Sequence, residues 1–285
     1  MNAAEQVQYE SGVRFKYAAV SFAAAILIVV SQLIELTGVH APVGELTLEL
    51  ITDSRRGTLD VVGASVDALA LIAIAFLLYW LHQVSSARRP ELKPMVRWAA
   101  VIGAMLGAVM AICLTTVMAH KAHEFVSGGS LGYPEAYQLV SSGGVESMQL
   151  LLEFGTLLLA IGCIWTSLSA MRVGLITRLV GYAGVVAGAL FIFPIGGLVP
   201  VIQGFWFAAL AVTFARRWPS GDPPAWAAGE AVPWAPIQSG PAQEPVRPVR
   251  GQRRRRVSDR EVLAAVDEAP KPANPQAGRR KRKKR

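Results

Sequence analysis

Six long stretches of this 285-residue chain contain no lysine or arginine, although the whole chain carries 28 of these residues. Each stretch is strongly apolar, which is not expected of helices on the surface of a water-soluble domain. The hydrocarbon core of a bilayer is about 30 Å thick and needs about 20 apolar residues to cross it. The sequence therefore predicts an all-α, polytopic membrane protein. The six stretches are residues 17–37, 61–84, 98–119, 146–168, 179–193 and 198–214.

Sequence motifs that define a particular chemistry are also missing. The chain has no phosphate-binding loop ending in Gly-Lys-Ser or Gly-Lys-Thr, no His-Glu-x-x-His and no dinucleotide fingerprint. It has only two cysteines, Cys113 and Cys163, and they fall toward opposite sides of the membrane because their two stretches cross it in opposite directions. We expect no disulfide between them, because bridged cysteines must lie close together. The sequence predicts no cofactor and no established enzyme class.

The loops between the stretches alternate in charge, which predicts their orientation. Basic residues concentrate on the cytoplasmic side of membrane proteins. The alternate loops are acidic or mixed and are predicted to lie outside. Six crossings then leave both termini in the cytoplasm. The predicted inner loops carry Arg88, Arg89, Lys93 and Arg97, and then Arg172 and Arg178.

The last two apolar stretches come from one uncharged run between Arg178 and Arg216. Prolines and glycines interrupt this run near its middle. Two short helices and a re-entrant hairpin both fit, and in either case the two ends of the run lie on the same side. The interrupting residues are Pro194, Gly196, Gly197 and Pro200.

The excess positive charge of the chain lies in its last part. Residues 216–285 contain 17 Lys and Arg against 7 Asp and Glu. Few apolar residues could form a core there, so we predict a six-helix domain over 1–215 and a disordered basic cytoplasmic tail over 216–285. Anionic lipid head groups are the favoured partner of the tail, and nucleic acid is less favoured. The predicted anion-binding residues are Arg253, Arg254, Arg255, Arg256, Arg279, Arg280, Lys281, Arg282, Lys283, Lys284 and Arg285.

Polar residues within the apolar stretches fall toward the outer side. They predict an outward-facing polar cavity, or alternatively a hydrogen-bonded network that holds the helices together. Glu146, Gln149 and Glu153 have a spacing that places them on one helix face. Without a cation in any stretch, we expect at least one of Asp67 and Glu153 to be protonated near neutral pH or to bind a cation. The cavity candidates are Asp67, His120, Glu146, Gln149, Glu153 and Gln203, accompanied by Gln32, Glu35, Thr115 and Thr116.

Two weaker patterns concern metal binding and helix packing. His120, His123 and Glu124 could place three metal ligands on one face of a helix, although interfacial histidines at a helix end are the favoured interpretation. Glycines four residues apart, at 103 and 107 and at 184 and 188, allow helices to approach closely. We expect these glycines to pack within the bundle, and the alternative is that they mediate a homo-oligomer.

The segment 174–184 is a basic turn that leads into a glycine-rich helix, and an apolar helix over 150–168 precedes it. Together these features resemble a family of bacterial six-helix membrane proteins known only as a domain of unknown function. The resemblance covers residues 1–215 and implies the fold, with no activity attached. A composition rich in Ala, Val, Gly and Arg also looks like that of a high-GC bacterium.

Three functional classes follow from these observations. The first is an integral membrane protein that binds an ion or small solute in its outer polar cavity. The second is a membrane scaffold whose basic tail binds anionic lipid or a cytoplasmic partner. The third and least favoured is a membrane-embedded enzyme that uses the acidic residues and His120 for acid–base chemistry.

Overall fold

A computed structural model describes residues 3–37, 44–128, 131–192 and 199–234, which all fall within one compact unit, Met1–Ala235. Within these ranges the regular secondary structure is entirely helical. The helices are α1 (Ala3–Leu36), α2 (Leu46–Arg88), α3 (Met95–Gly128), α4 (Tyr133–Val140), α5 (Gly143–Arg172), α6 (Arg178–Ala189), α7 (Val199–Phe214) and α8 (Ala225–Ala228).

Four of these helices, α1, α2, α3 and α5, are long and apolar enough to cross a membrane. This finding confirms the predicted all-helical fold and is compatible with the predicted membrane protein. Helices α6 and α7 are apolar but shorter, with 12 and 16 residues. They rise about 18 Å and 24 Å, less than the bilayer core of about 30 Å.

Helix α2 contains 43 residues and rises about 65 Å, roughly twice the thickness of a hydrocarbon core. Its first part, together with the end of α3 and with α4, covers much of what the sequence analysis treated as external loops. These parts enclose a small apolar core of Leu50, Ala122, Phe125 and Ala136. Charged residues are compatible with a helix. The sequence analysis assigned this segment to a loop because of its charges, and it overlooked that Leu50 could be buried.

Glycines bring α3 and α5 into close contact. A Cβ atom at Gly103 would lie 2.4 Å from the backbone nitrogen of Leu159 and 2.7 Å from the carbonyl oxygen of Gly155. A Cβ atom at Gly184 would lie 2.4 Å from the Ser167 hydroxyl oxygen. One glycine of each pair identified in the sequence, Gly103 and Gly184, therefore packs closely within the bundle.

At one end of the bundle, residues 217–234 fold back across the helices and form a cap. The Trp226 ring packs 5.9 Å from Trp80, and its indole N–H donates to the Leu175 carbonyl oxygen at 2.8 Å. The Trp234 indole N–H donates to the Ile176 carbonyl oxygen at 3.0 Å. This segment thus differs from the expected disordered tail beginning at 216, because its tryptophans have buried sites to occupy.

The cap also establishes which helix ends meet. Arg14, near the start of α1, donates to the Thr213 carbonyl oxygen near the end of α7 at 2.6 Å and to Asp222 of the cap at 2.7 Å. Arg88, at the end of α2, pairs with Glu10 of α1. The start of α1 and the ends of α2, α5 and α7 therefore lie together at the capped end.

Candidate functional site

A cavity of about 570 Å³ lies among α1, α2, α3 and α7, away from the cap. The second half of α1, the first half of α2, the second half of α3 and the start of α7 line it. Since these are the opposite helix ends from those at the cap, the cavity belongs to the other end of the bundle. Its polar lining consists of Ser31, Gln32, Glu35, Asp53, Arg56, Asp60, Asp67, Thr115 and Gln203.

Acidic groups outnumber basic ones in this lining. Among the described residues of the lining, four carboxyl groups accompany one guanidinium, that of Arg56. Arg56 lies 3.4 Å from Asp60 and also donates to the Glu35 carbonyl oxygen at 3.0 Å. A surplus of carboxylates around a space with low-dielectric walls attracts positive charge.

Three of the four carboxyl groups come from α2 at a regular spacing. Asp53, Asp60 and Asp67 are seven residues apart, which is close to two helical turns and places them on one face. Neighbouring members of this row are about 10.5 Å apart along the helix axis. All three line the cavity, so it extends along α2 for about 21 Å.

Gln203 of α7 lines the inner part of the cavity. It is only 7 % exposed, and its carboxamide makes no hydrogen bond to any of the residues that the structure describes. Its carboxamide is not fully enclosed by protein, so this group can reach a molecule bound in the cavity. Asp67, partly buried, lies in the same lining.

Apolar residues fill the lining between the acidic groups. Leu59, Gly63 and Ala64 occupy α2 around Asp60 and before Asp67, and Ile28, Leu114 and Met118 face the cavity from α1 and α3. Carboxylates and apolar surface therefore alternate along the length of the cavity.

Only some of the residues predicted for the cavity lie there. Asp67 and Gln203 line it, together with Gln32, Glu35 and Thr115. The prediction also included side chains of α5, a helix that contributes nothing to the lining. Their shared face points outward, beside the exposed Leu150 and Phe154. The predicted residues that are exposed and away from the cavity are His120, Glu146, Gln149 and Glu153.

The weak metal-site prediction gains no support from the arrangement. His120, His123 and Glu124 are exposed near the end of α3. Among the residues that the structure describes, no three His, Cys, Asp or Glu side chains are grouped so that they could hold a metal ion. The predicted anion-binding residues of the tail, from Arg253 to Arg285, lie outside the described residues.

Sequence reasoning missed Asp53, Arg56 and Asp60 as cavity residues because it placed them in a loop. The seven-residue spacing of three aspartates was the signal that could have found them, since it persists across the start of the apolar stretch. It also missed the cap, whose buried residues include Ala225 and Trp226.

Comparisons with protein-family models, with curated proteins and with solved structures find no match to this chain. The resemblance to a bacterial six-helix family therefore stays a prediction. Function has to be inferred from the cavity itself.

Proposed function

We propose that this chain is a multi-pass protein of the bacterial cytoplasmic membrane that binds a cation or a small cationic solute in its outward-facing cavity. The observation that carries the proposal is the lining of the cavity, in whose described residues four carboxyl groups accompany a single guanidinium. The volume of about 570 Å³ falls within the usual range of small-molecule sites.

The orientation follows from the charges at the capped end. Arg89, Lys93 and Arg172 belong to the helix ends and turns on that side, and basic residues favour the cytoplasmic side. In this arrangement the cap is cytoplasmic, as are both termini, and the cavity opens outward. Helices α6 and α7 form a short antiparallel pair within the membrane, each shorter than the hydrocarbon core.

The electrostatic setting favours a cation over a neutral solute. Carboxylates next to the low-dielectric interior of a membrane are poorly solvated, and a bound cation replaces the water that they lack. Among the lining residues that the structure describes, Arg56 is the one positively charged side chain beside these carboxyl groups. Asp67, the acidic residue farthest along α2 from the cavity's outer end, is the group that we expect to contribute most to affinity.

The basic tail has a separate proposed role, contact with the anionic inner leaflet. Each Lys or Arg near such a leaflet contributes about 1 kcal/mol. This role does not involve the cavity, so deletion of residues 236–285 should leave cation binding unchanged. Loss of cation binding on that deletion would favour the scaffold class over a cavity-based function.

Calorimetric titration of the purified protein with monovalent metal ions, divalent metal ions and alkylamines tests the proposal. We expect saturable binding of at least one cation, weakened tenfold or more by Asp67→Asn. Glu153→Gln is the matched control, because it neutralises a carboxyl group on an exposed face of α5 and should leave affinity unchanged. Absence of saturable binding to every cation, or equal affinity in native protein and Asp67→Asn, would overturn the proposal.

A further inference from the structure

From the spacing of the acidic groups, we infer that the cavity binds a linear organic polyamine whose ammonium groups are about 10 Å apart. This inference rests on the proposed function and names the class of cation. It is carried by the cavity, by the row of aspartates on α2 and by the buried, unpartnered Gln203.

The geometry argues against a single metal ion as the preferred ligand. Calcium and magnesium require several oxygen ligands at about 2.0 to 2.6 Å. Asp53, Asp60 and Asp67 are too far apart to share one ion, since neighbouring members are about 10.5 Å apart along the helix. Within the described ranges, no group of acidic or histidine side chains is placed to bind a metal ion.

The row of aspartates instead fits separate positive charges on one chain. One ammonium group can pair with Asp67 and a second with Asp60, whose carboxylate it would share with Arg56 at 3.4 Å, and the rise of about 10.5 Å along the helix sets the distance between charges. An extended chain advances about 1.1 to 1.2 Å per bond, so two amines at this distance are linked by about seven or eight methylene groups. A molecule with a third amine at the same spacing could extend to the next aspartate.

The surface between the carboxylates suits the methylene chain. Leu59 and Ala64 lie on α2 near Asp60 and Asp67, and Leu114 and Met118 face them from α3. Methylene groups against these side chains would be removed from water, which contributes about 0.8 kcal/mol for each fully buried group. A small inorganic cation gains nothing from this apolar surface.

Gln203 provides a second, independent indication of a ligand at the inner end. Its side chain is 93 % buried, lines the cavity and has no hydrogen-bond partner among the described residues. Its amide oxygen can accept a hydrogen bond from the ammonium group that pairs with Asp67. The two residues thus form the inner anchor, and Asp60 and Asp53 lie farther out.

The test is calorimetric titration of the full-length protein with a series of α,ω-diamines that differ in methylene number, each compared with the monoamine of the same length. We expect affinity to peak at about seven or eight methylene groups. The diamine at the peak should bind at least tenfold more tightly than its monoamine, and Asp67→Asn should remove that advantage. Gln203→Leu, which preserves side-chain size, should weaken the same diamine several-fold.

Each outcome separates this inference from the proposed function. Binding of metal ions or monoamines that depends on Asp67, without a length optimum for diamines, would overturn the inference and leave the proposed function standing. No binding of any cation would overturn both. If Asp67→Asn does not fold, competition between the diamine and the monoamine on native protein still decides the question, since both should occupy the same inner anchor.

Discussion

The Glu10 carboxylate and the Arg88 guanidinium form a buried ion pair through two hydrogen bonds, each 2.6 Å long. The pair joins the start of α1 to the end of α2. Arg88 also donates to the carbonyl oxygens of Val84 and Ala225, so most of its donors are satisfied within the protein. Arg88, which the sequence analysis placed in an inner loop, is therefore a structural residue that joins α1, α2 and the cap.

Removing the cation of this pair should destabilise the protein strongly. In Arg88→Met, Glu10 would stay buried without its partner, and a broken buried pair costs about 3 to 5 kcal/mol. Unfolding in mixed detergent micelles measures this change in the free energy of unfolding.

The adjacent Arg89 provides the control. It pairs with Glu91 at the surface, where both side chains are exposed, and Arg89→Met should change the free energy of unfolding by less than about 1 kcal/mol. Equal effects of Arg88→Met and Arg89→Met would contradict the buried pair.

The cap should matter more to stability than the rest of the chain after α7. A chain ending at Arg217 loses the buried Trp226, and loss of a buried aromatic side chain costs about 3 to 5 kcal/mol. Its melting temperature should fall by about 6 to 20 °C. A chain ending at Ala235 retains the cap and should melt within a few degrees of the native protein, as thermal scans of both chains will show. Equal melting temperatures of the two truncated chains would show that the cap does not contribute to stability.

Close approach of α3 and α5 predicts that Gly103→Ala is destabilising. The added methyl group would meet backbone atoms of Leu159 and Gly155, which cannot rotate away. Overpacking of this kind costs about 1 to 3 kcal/mol. Gly12→Ala, on an exposed part of α1 with no atom within 4 Å, should instead stabilise the helix by about 0.5 to 1 kcal/mol. Chemical unfolding of the two variants distinguishes them, and a neutral Gly103→Ala would be inconsistent with the contact.

Acidification should weaken cation binding in the cavity. Protonation removes the negative charge of a carboxylate, and burial, with the neighbouring carboxylates of Asp60 and Glu49, raises the pKa of Asp53 to about 6. Titrations at a series of decreasing pH values, each checked for folding by thermal scan, should show falling affinity. Tighter binding at low pH would be incompatible with carboxylates as the cation ligands.

The helical, membrane-like part of the fold was predictable because a predominantly apolar run of about 20 residues without lysine or arginine is typical of a membrane-spanning helix. The lengths of the helices were not predictable in the same way. Residues such as Asp53 and Asp60 look like loop residues by charge alone, whereas they belong to a helix that continues beyond the apolar stretch. Trp226 lies in a segment whose overall composition resembles a tail, and only its buried site shows that it belongs to the cap.

The cavity was predictable in part. Asp67 and Gln203 stand out because polar groups are rare in apolar stretches. Glu153 stands out for the same reason, yet it lies on an exposed face of α5. Periodicity assigns residues to one face of a helix but does not determine which helix that face contacts, and here α5 turns this face away from the cavity.

The most direct test of the account is the accessibility of a cysteine in the cavity from outside the cell. In a background of Cys113→Ser and Cys163→Ala, Ala64→Cys introduces a thiol in the cavity lining, and Ser11→Cys introduces one on α1 at the capped end. We expect a membrane-impermeant maleimide to modify Ala64→Cys in intact cells, with the reaction slowed by an α,ω-diamine, and Ser11→Cys only after permeabilisation. The reverse pattern of modification would contradict an outward-facing cavity with a cytoplasmic cap.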